Sequence, residues 1–363
     1  MSRLRELFDQ QGQSPWLDNL RRGWITSGEL QALIDRGVRG ITSNPSIFQK
    51  AMTGTDDYDE QLGALAGAGQ SIEDSYWDLV TRDIVDALDL LRPVHEATGG
   101  LDGFVSVEVD PSLAADTAGT EDAARHLRNV IGRPNLFVKI PATAEGIPAI
   151  RTMVSEGCSV NVTLIFSLDR YQEVMEAYIG GLEDHEGDLS GISSVASFFI
   201  SRTDTEIDRR LEAIGTPEAL DLRGLAAVAQ GQVAYDLFRR AFSGHRWEAL
   251  AARGARVQRP LWASTSTKNP SYPDTLYVDA LIGPDTVNTL PETTLEAFDD
   301  HGTLARTVDA DPEGARSTLA AVQAVGVDLD DVSRVLEEEG VGAFVKSFVE
   351  LLETLGQKAD ELA

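Results

Sequence analysis

The chain has 363 residues, one cysteine and a net charge of −28, from 59 acidic against 31 basic residues. A length of this order buries a core that needs no disulfide or metal staple, and the lone Cys158 rules out a disulfide framework. A surface this acidic repels nucleic acid and anionic lipid, which excludes both as partners. It repels anionic metabolites too, so a site for one must carry its own local positive charge. The opening residues Met1-Ser2-Arg3-Leu4-Arg5-Glu6 lead into no apolar core, and no apolar run approaches the length of a membrane span. Neither a signal peptide nor a membrane segment is expected, and the cytoplasm is the expected location. Only five basic residues are lysines: Lys50, Lys139, Lys268, Lys346 and Lys358. Arginine does most of the solvation, so each lysine invites a question.

Short β-type runs alternate with long helical stretches, which argues for a parallel sheet with crossover helices. In chain order the candidate strands are Ser14–Asp18, Gly37–Asn44, Gly103–Asp110, Leu136–Pro141, Ser159–Thr163, Ile192–Ser197, Arg259–Ser264 and Thr275–Leu281. Helical spacing predicts helices over Thr26–Asp35 and Glu73–Arg92. Asp311-Pro312-Glu313 reads as a helix start, with Asp as N-cap, Pro in the first turn and an acid at the positive end of the dipole. Phe344, Phe348, Leu351, Leu352 and Leu355 share one helical face, predicting a terminal helix packed on the barrel as core rather than as a partner surface. Eight strands in βα alternation predict an α/β fold, a single (β/α)8 TIM barrel domain over residues 1–363. A doubly wound open sheet is the alternative, but no G-x-G-x-x-G or P-loop follows any strand.

In such a barrel, reactive groups sit at the C-terminal ends of the strands. The expected strands deliver there Asp18, Asn44, Glu108, Lys139, Asn161 with Thr163, Ser197 and Ser264. Lys139 lies inside Leu136-Phe137-Val138-Lys139-Ile140-Pro141, so its side chain must end inside the barrel or at its mouth. Burial disfavours an ammonium, and a neutral amine can attack a carbonyl to form a Schiff base. The bland alternative is a structural ion pair with a carboxylate such as Glu108. Schiff-base chemistry also needs a base and a proton relay, and Asp18 and Glu108 come from different strands. Asp18 could equally be a cap. Strand alternation places Glu108 on one face with Ser106 and Asp110. Asn44 precedes Pro45 and reads otherwise as a turn residue. Asn161 and Thr163 share a face, suited to substrate hydroxyls or an ordered water. Arg202 opens the helix after the sixth strand, where it can join the helix N-terminus on a phosphate; its alternative is a surface ion pair with Asp204 or Glu206. The loop Ser264-Thr265-Ser266-Thr267-Lys268 follows the seventh strand, a favoured phosphate position in barrels, though it also fits an ordinary polar loop. The histidines show no metal-ligand spacing, which argues against a zinc-dependent aldolase, and no cofactor is called for. Cys158 reads as a small core residue.

These residues resemble a known family, the transaldolases, and especially their longer bacterial form. The matching stretches are Gly40-Ile41-Thr42-Ser43-Asn44-Pro45-Ser46-Ile47-Phe48, Ser106-Val107-Glu108-Val109-Asp110, Phe137-Val138-Lys139-Ile140-Pro141-Ala142-Thr143 and Asn161-Val162-Thr163-Leu164-Ile165-Phe166-Ser167, with Leu17-Asp18, Ser197, Arg202 and Leu290-Pro291-Glu292-Thr293-Thr294. The resemblance implies transfer of a dihydroxyacetone unit between sugar phosphates. Sedoheptulose 7-phosphate and glyceraldehyde 3-phosphate would give erythrose 4-phosphate and fructose 6-phosphate, in the non-oxidative pentose phosphate pathway. It implies that Lys139 forms the Schiff base, Asp18 moves the C4 hydroxyl proton, and Glu108 and Thr163 use a catalytic water. Asn44, Asn161 and Ser197 would bind the dihydroxyacetone portion and Arg202 the phosphate. Shorter family members carry a second arginine after the seventh strand; here that loop has no arginine, only Lys268, with the hydroxyls of Ser264 and Ser266 beside it. Two rivals are a fructose-6-phosphate aldolase and a non-catalytic barrel scaffold. A homodimer is compatible with the sequence, which leaves the oligomeric state open.

Overall fold

The computed structural model describes residues 2–362. Eight parallel strands close into a barrel in chain order: β1 (Gln13–Leu17), β2 (Gly40–Ile41), β3 (Phe104–Glu108), β4 (Leu136–Pro141), β5 (Val160–Ile165), β6 (Ser194–Phe199), β7 (Arg259–Ala263) and β8 (Thr286–Leu290). β1 pairs with both β2 and β8, which closes the ring. Every strand residue is buried, as expected when helices cover the outside and side chains fill the inside. No helix among the described residues is long and apolar enough to cross a membrane.

Seven of the expected strands form, with ends moved by a few residues. The second shrinks to Gly40–Ile41, because Asn44 turns out of the sheet to cap the helix Pro45–Met52. Gly40 sits where Trp16 crosses; a Cβ there would lie 2.4 Å from the indole ring.

The expected eighth strand, Thr275–Leu281, is wrong. Leu276–Asp279 is a short helix, and the strand is Thr286–Leu290. A short apolar run does not reveal whether it is strand or helix. The true strand, Thr-Val-Asn-Thr-Leu, hides because Thr286 and Asn288 are buried polar residues.

Thr26–Asp35 is two helices, Arg22–Ser27 and Glu29–Arg36, broken at Gly28 with φ 84°. Glu73–Arg92 falls within the longer helix Ile72–Ala97. Asp311 caps the helix Pro312–Ala324 through the Gly314 N–H. The terminal helix Leu329–Leu362 buries Phe344, Phe348, Leu351 and Leu355, as expected from their spacing, with Leu352 half-buried.

The interior is layered by strand alternation. Trp16, Phe104 and Phe137 stack across the middle, with Phe104 and Phe137 centroids 4.1 Å apart. Below them, fully buried Asp102 joins the lower end of the barrel. It accepts from Arg39 Nε (2.7 Å), Arg259 Nη2 (2.9 Å), Ser14 Oγ (2.8 Å) and Trp16 Nε1 (3.1 Å). Burial pushes this carboxyl up, but the pull of Arg259 and Arg39 wins and holds it below the ordinary range.

Asp102→Ala strands the buried Arg259 guanidinium, so a loss of about 3–5 kcal/mol is expected, read as a lower urea midpoint. Because the folded carboxyl titrates below its unfolded value, its contribution is full at neutral pH and is lost as pH falls through the folded value. The gap between parent and variant should therefore narrow in acid. An unchanged midpoint at neutral pH would show that the network is dispensable.

Candidate active site

Above the aromatic layer, the next inward positions are polar. β3 and β4 pair with Glu108 opposite Lys139, and β4 and β5 pair with Lys139 opposite Asn161. Three of the candidate site residues therefore stand side by side on adjacent strands. Lys139 is 4% exposed, and its ammonium donates to Glu108 Oε2 (3.1 Å) and to the Ser43 carbonyl (3.3 Å). Ser197 donates to Asn161 Oδ1 (2.7 Å), and Asn161 Nδ2 donates to Ser106 Oγ (2.9 Å). That relay fixes which way the Asn161 amide points. The Thr163 hydroxyl is buried without a protein partner among the described residues.

Asp18 stands just past β1, accepting from the Thr42 hydroxyl at 2.6 Å. Burial raises its carboxyl above the ordinary range, against the Thr42 hydrogen bond and the Lys139 charge. Burial likewise raises Glu108, against the charge of Lys139. Asn44 spends Oδ1 on the Ile47 N–H (3.0 Å), which confirms a capping role and leaves its Nδ2 free of that bond. Backbone geometry is unusual at two strand ends. Leu164 and Ser264 hold left-handed φ of 59° and 56°, and Leu164 lies in a bulge between β5 and β6. Non-glycine residues persist there only when their surroundings enforce it, which happens most at functional sites.

A cavity of about 350 Å³ opens above these groups. Asp18, Asn44, Lys139, Thr163, Ser197, Arg202, Ser264 and Lys268 line it, whereas Glu108 and Asn161 do not and contact its lining residues Lys139 and Ser197. Arg202 does not make the surface ion pair that its sequence neighbours offered. Asp204 accepts from Tyr277 and Ala227, and Glu206 pairs with Arg209 and Arg210. The Arg202 guanidinium instead lies over Phe199 (5.4 Å) and Phe344 (5.9 Å), with no carboxylate partner among the described residues. Ser264 Oγ meets Ser201 Oγ at 2.8 Å, and Lys268 donates to Ser266 Oγ at 2.8 Å.

Sequence reasoning missed two kinds of wall residue. Phe344, expected only as core packing, also lines the cavity, its ring 5.5 Å from Lys139 Nζ. Ile47 and Lys50 line it from the helix that Asn44 caps. Their spacing of three behind Asn44 was a usable signal, since such residues share a helical face.

The profile of the family described as "Transaldolase/Fructose-6-phosphate aldolase" matches residues 15–355. A transaldolase of Thermobifida fusca is 53% identical over 362 residues, covering 98% of each chain. A transaldolase of Parafrankia is 51% identical, covering 97% of each chain. The chain belongs to the transaldolase family. A third relative, "Transaldolase 2" of Streptomyces avermitilis, is 50% identical over 98% of this chain and 97% of its own. Family membership accounts for a closed barrel whose buried lysine faces an open, polar mouth.

Proposed function

We propose that this protein transfers a dihydroxyacetone unit between sugar phosphates through a Schiff base on Lys139, in the non-oxidative pentose phosphate pathway of the cytoplasm. One observation carries the reading: a buried lysine, hydrogen-bonded to a buried carboxyl, opens on a cavity shared with Asp18 and an arginine that has no carboxylate partner among the described residues. A scaffold has no use for such a set.

The geometry supports the following steps. Burial raises the Glu108 carboxyl, so it can take up a proton as the Lys139 amine attacks the ketose carbonyl. Glu108 and the Thr163 hydroxyl, unpartnered among the described residues, then suit a water that passes a proton to the carbinolamine hydroxyl, which leaves as water and gives the protonated imine. Asp18 takes the proton of the C4 hydroxyl as the C3–C4 bond breaks and the aldose phosphate departs. The electrons of that bond stay on the enamine, which attacks the acceptor aldehyde. Asn44, through its Nδ2, and the Ser197–Asn161 relay hold the dihydroxyacetone hydroxyls. Arg202 is the main phosphate anchor, since its planar fork matches phosphate oxygens at two points, and Lys268 is the second, with the Ser264 hydroxyl beside it. A fructose-6-phosphate aldolase would release dihydroxyacetone without an acceptor. Fructose 6-phosphate supplied with and without erythrose 4-phosphate separates the two, because glyceraldehyde 3-phosphate release by a transferase depends on the acceptor.

Borohydride with fructose 6-phosphate is expected to add one dihydroxyacetone-derived adduct per chain, on the peptide containing Lys139. An adduct on Lys268 or an active Lys139→Ala variant contradicts this.

A pH experiment tests Asp18. It must be ionised to act as a base, so single-turnover cleavage should fall as pH drops through its raised value, above the ordinary carboxylate range. Thr42→Val removes a hydrogen bond to the carboxylate, so the acid limb should move to still higher pH. An acid limb that stays in place removes Asp18 from the role.

A further inference from the structure

One cation at the mouth has no part in the steps above. Lys50 lies near the end of the helix Pro45–Met52 and lines the same cavity as Asp18, Arg202 and Lys268. Its side chain is exposed, with neither a carboxylate partner nor a hydrogen bond among the described residues.

The other lysines sort informatively. Lys346 and Lys358, away from the mouth, pair with Glu350 and Asp59, and Lys139 pairs with Glu108. Lys50 and Lys268 make no ion pair among the described residues, and neither does Arg202. Arg3, Arg5, Arg128, Arg253 and Arg256 also lack an ion pair among the described residues, but each donates to a backbone carbonyl. Lys50, Lys268 and Arg202 have neither kind of partner there, and in a chain with 59 acids against 31 bases these three share one rim. They also feel one another: burial, then the charges of Arg202 and Lys50, push the Lys268 ammonium below its usual range. Like charges held close cost energy unless an anion joins them.

The three arrive from different elements. Arg202 follows β6, Lys268 follows β7, and Lys50 follows β2, four strands round the ring from β6. The helix bearing Lys50 is held firmly. Asn44 caps it, Ser46 Oγ meets Ser347 Oγ at 2.7 Å, and Gln49 donates to Glu350 at 2.8 Å, both partners lying on the terminal helix.

We propose that Lys50 is the third cation of the phosphate clamp, meeting the sugar phosphate from the β2 side while Arg202 and Lys268 hold it from the β6 and β7 sides. The inference rests on the sugar-phosphate reading above. A phosphate monoester carries nearly two negative charges at neutral pH, so two cations only balance it. Lys50 supplies the surplus needed beside Asp18 and under a repulsive surface of net charge −28.

The test compares Lys50→Met, which keeps the aliphatic stem, with Lys50→Arg and Arg202→Ala. Inorganic phosphate serves as competitive inhibitor, and glyceraldehyde replaces glyceraldehyde 3-phosphate as the unphosphorylated acceptor. Lys50→Met is expected to raise the inhibition constant of phosphate and the KM of phosphorylated acceptor about threefold to tenfold at low salt, with kcat little moved. The penalty should be much smaller with glyceraldehyde, should shrink at high salt, and should be rescued by Lys50→Arg. An unchanged phosphate constant overturns the proposal. So does an equal loss with both acceptors, which would place Lys50 in the service of Asp18. If Arg202→Ala weakens phosphate and Lys50→Met does not, only the role of Lys50 falls. If neither variant weakens phosphate, the sugar-phosphate corner itself has been misplaced and both readings fall together.

Discussion

The buried pair of Lys139 and Glu108 is the constraint around which the rest of this molecule is arranged. Taking two charges out of water is expensive, and their attraction repays it only with close geometry and further hydrogen bonds. The barrel supplies both. Adjacent strands hold the two residues opposite each other, and the Ser43 carbonyl takes another lysine proton.

The same economy explains the layering. Both ends of the barrel interior carry buried charge, separated by the Trp16, Phe104 and Phe137 layer. At the lower end Asp102 is engaged by two arginines, a serine and an indole. At the mouth, donors and acceptors are only partly used. Thr163 has no hydrogen-bond partner among the described residues, Asn44 spends one of its amide atoms, and Arg202 rests on aromatic faces. Saturated polar groups stabilise a fold, whereas groups kept short of partners can meet a ligand.

Charge is distributed on the same logic. The acidic exterior is knitted by arginine pairs such as Arg246 with Glu176 and Glu183, and Arg125 with Glu156. Exposed pairs of this sort contribute little stability each. Their abundance makes the unpaired cations at the mouth conspicuous. The terminal helix joins in by giving Phe344 to the wall and bracing the helix that bears Lys50.

Much of this was legible in the amino-acid order. Strand alternation alone put Lys139, Glu108, Asn161 and Thr163 inside the barrel, because a side chain in a β-run has only two faces to choose from. The βα rhythm announced the barrel, and Asp311-Pro312 marked a helix start through purely local chemistry. Where local rules ran out, the reading failed. Thr275–Leu281 is apolar enough for a strand, but Tyr277 reaches Asp204 from a short helix, while polar Thr286 and Asn288 go into the true strand. Only the closed ring could decide between them, since either run is compatible with its own sequence. Arg202 shows the same limit, with Asp204 and Glu206 beside it in sequence but claimed in space by Tyr277, Arg209 and Arg210. Phe344 reads as a core residue, and Lys50 as one of five lysines that each invite a question. Phe344 became cavity wall because the terminal helix converges with others over one mouth, a relation between distant segments that no spacing within that helix contains.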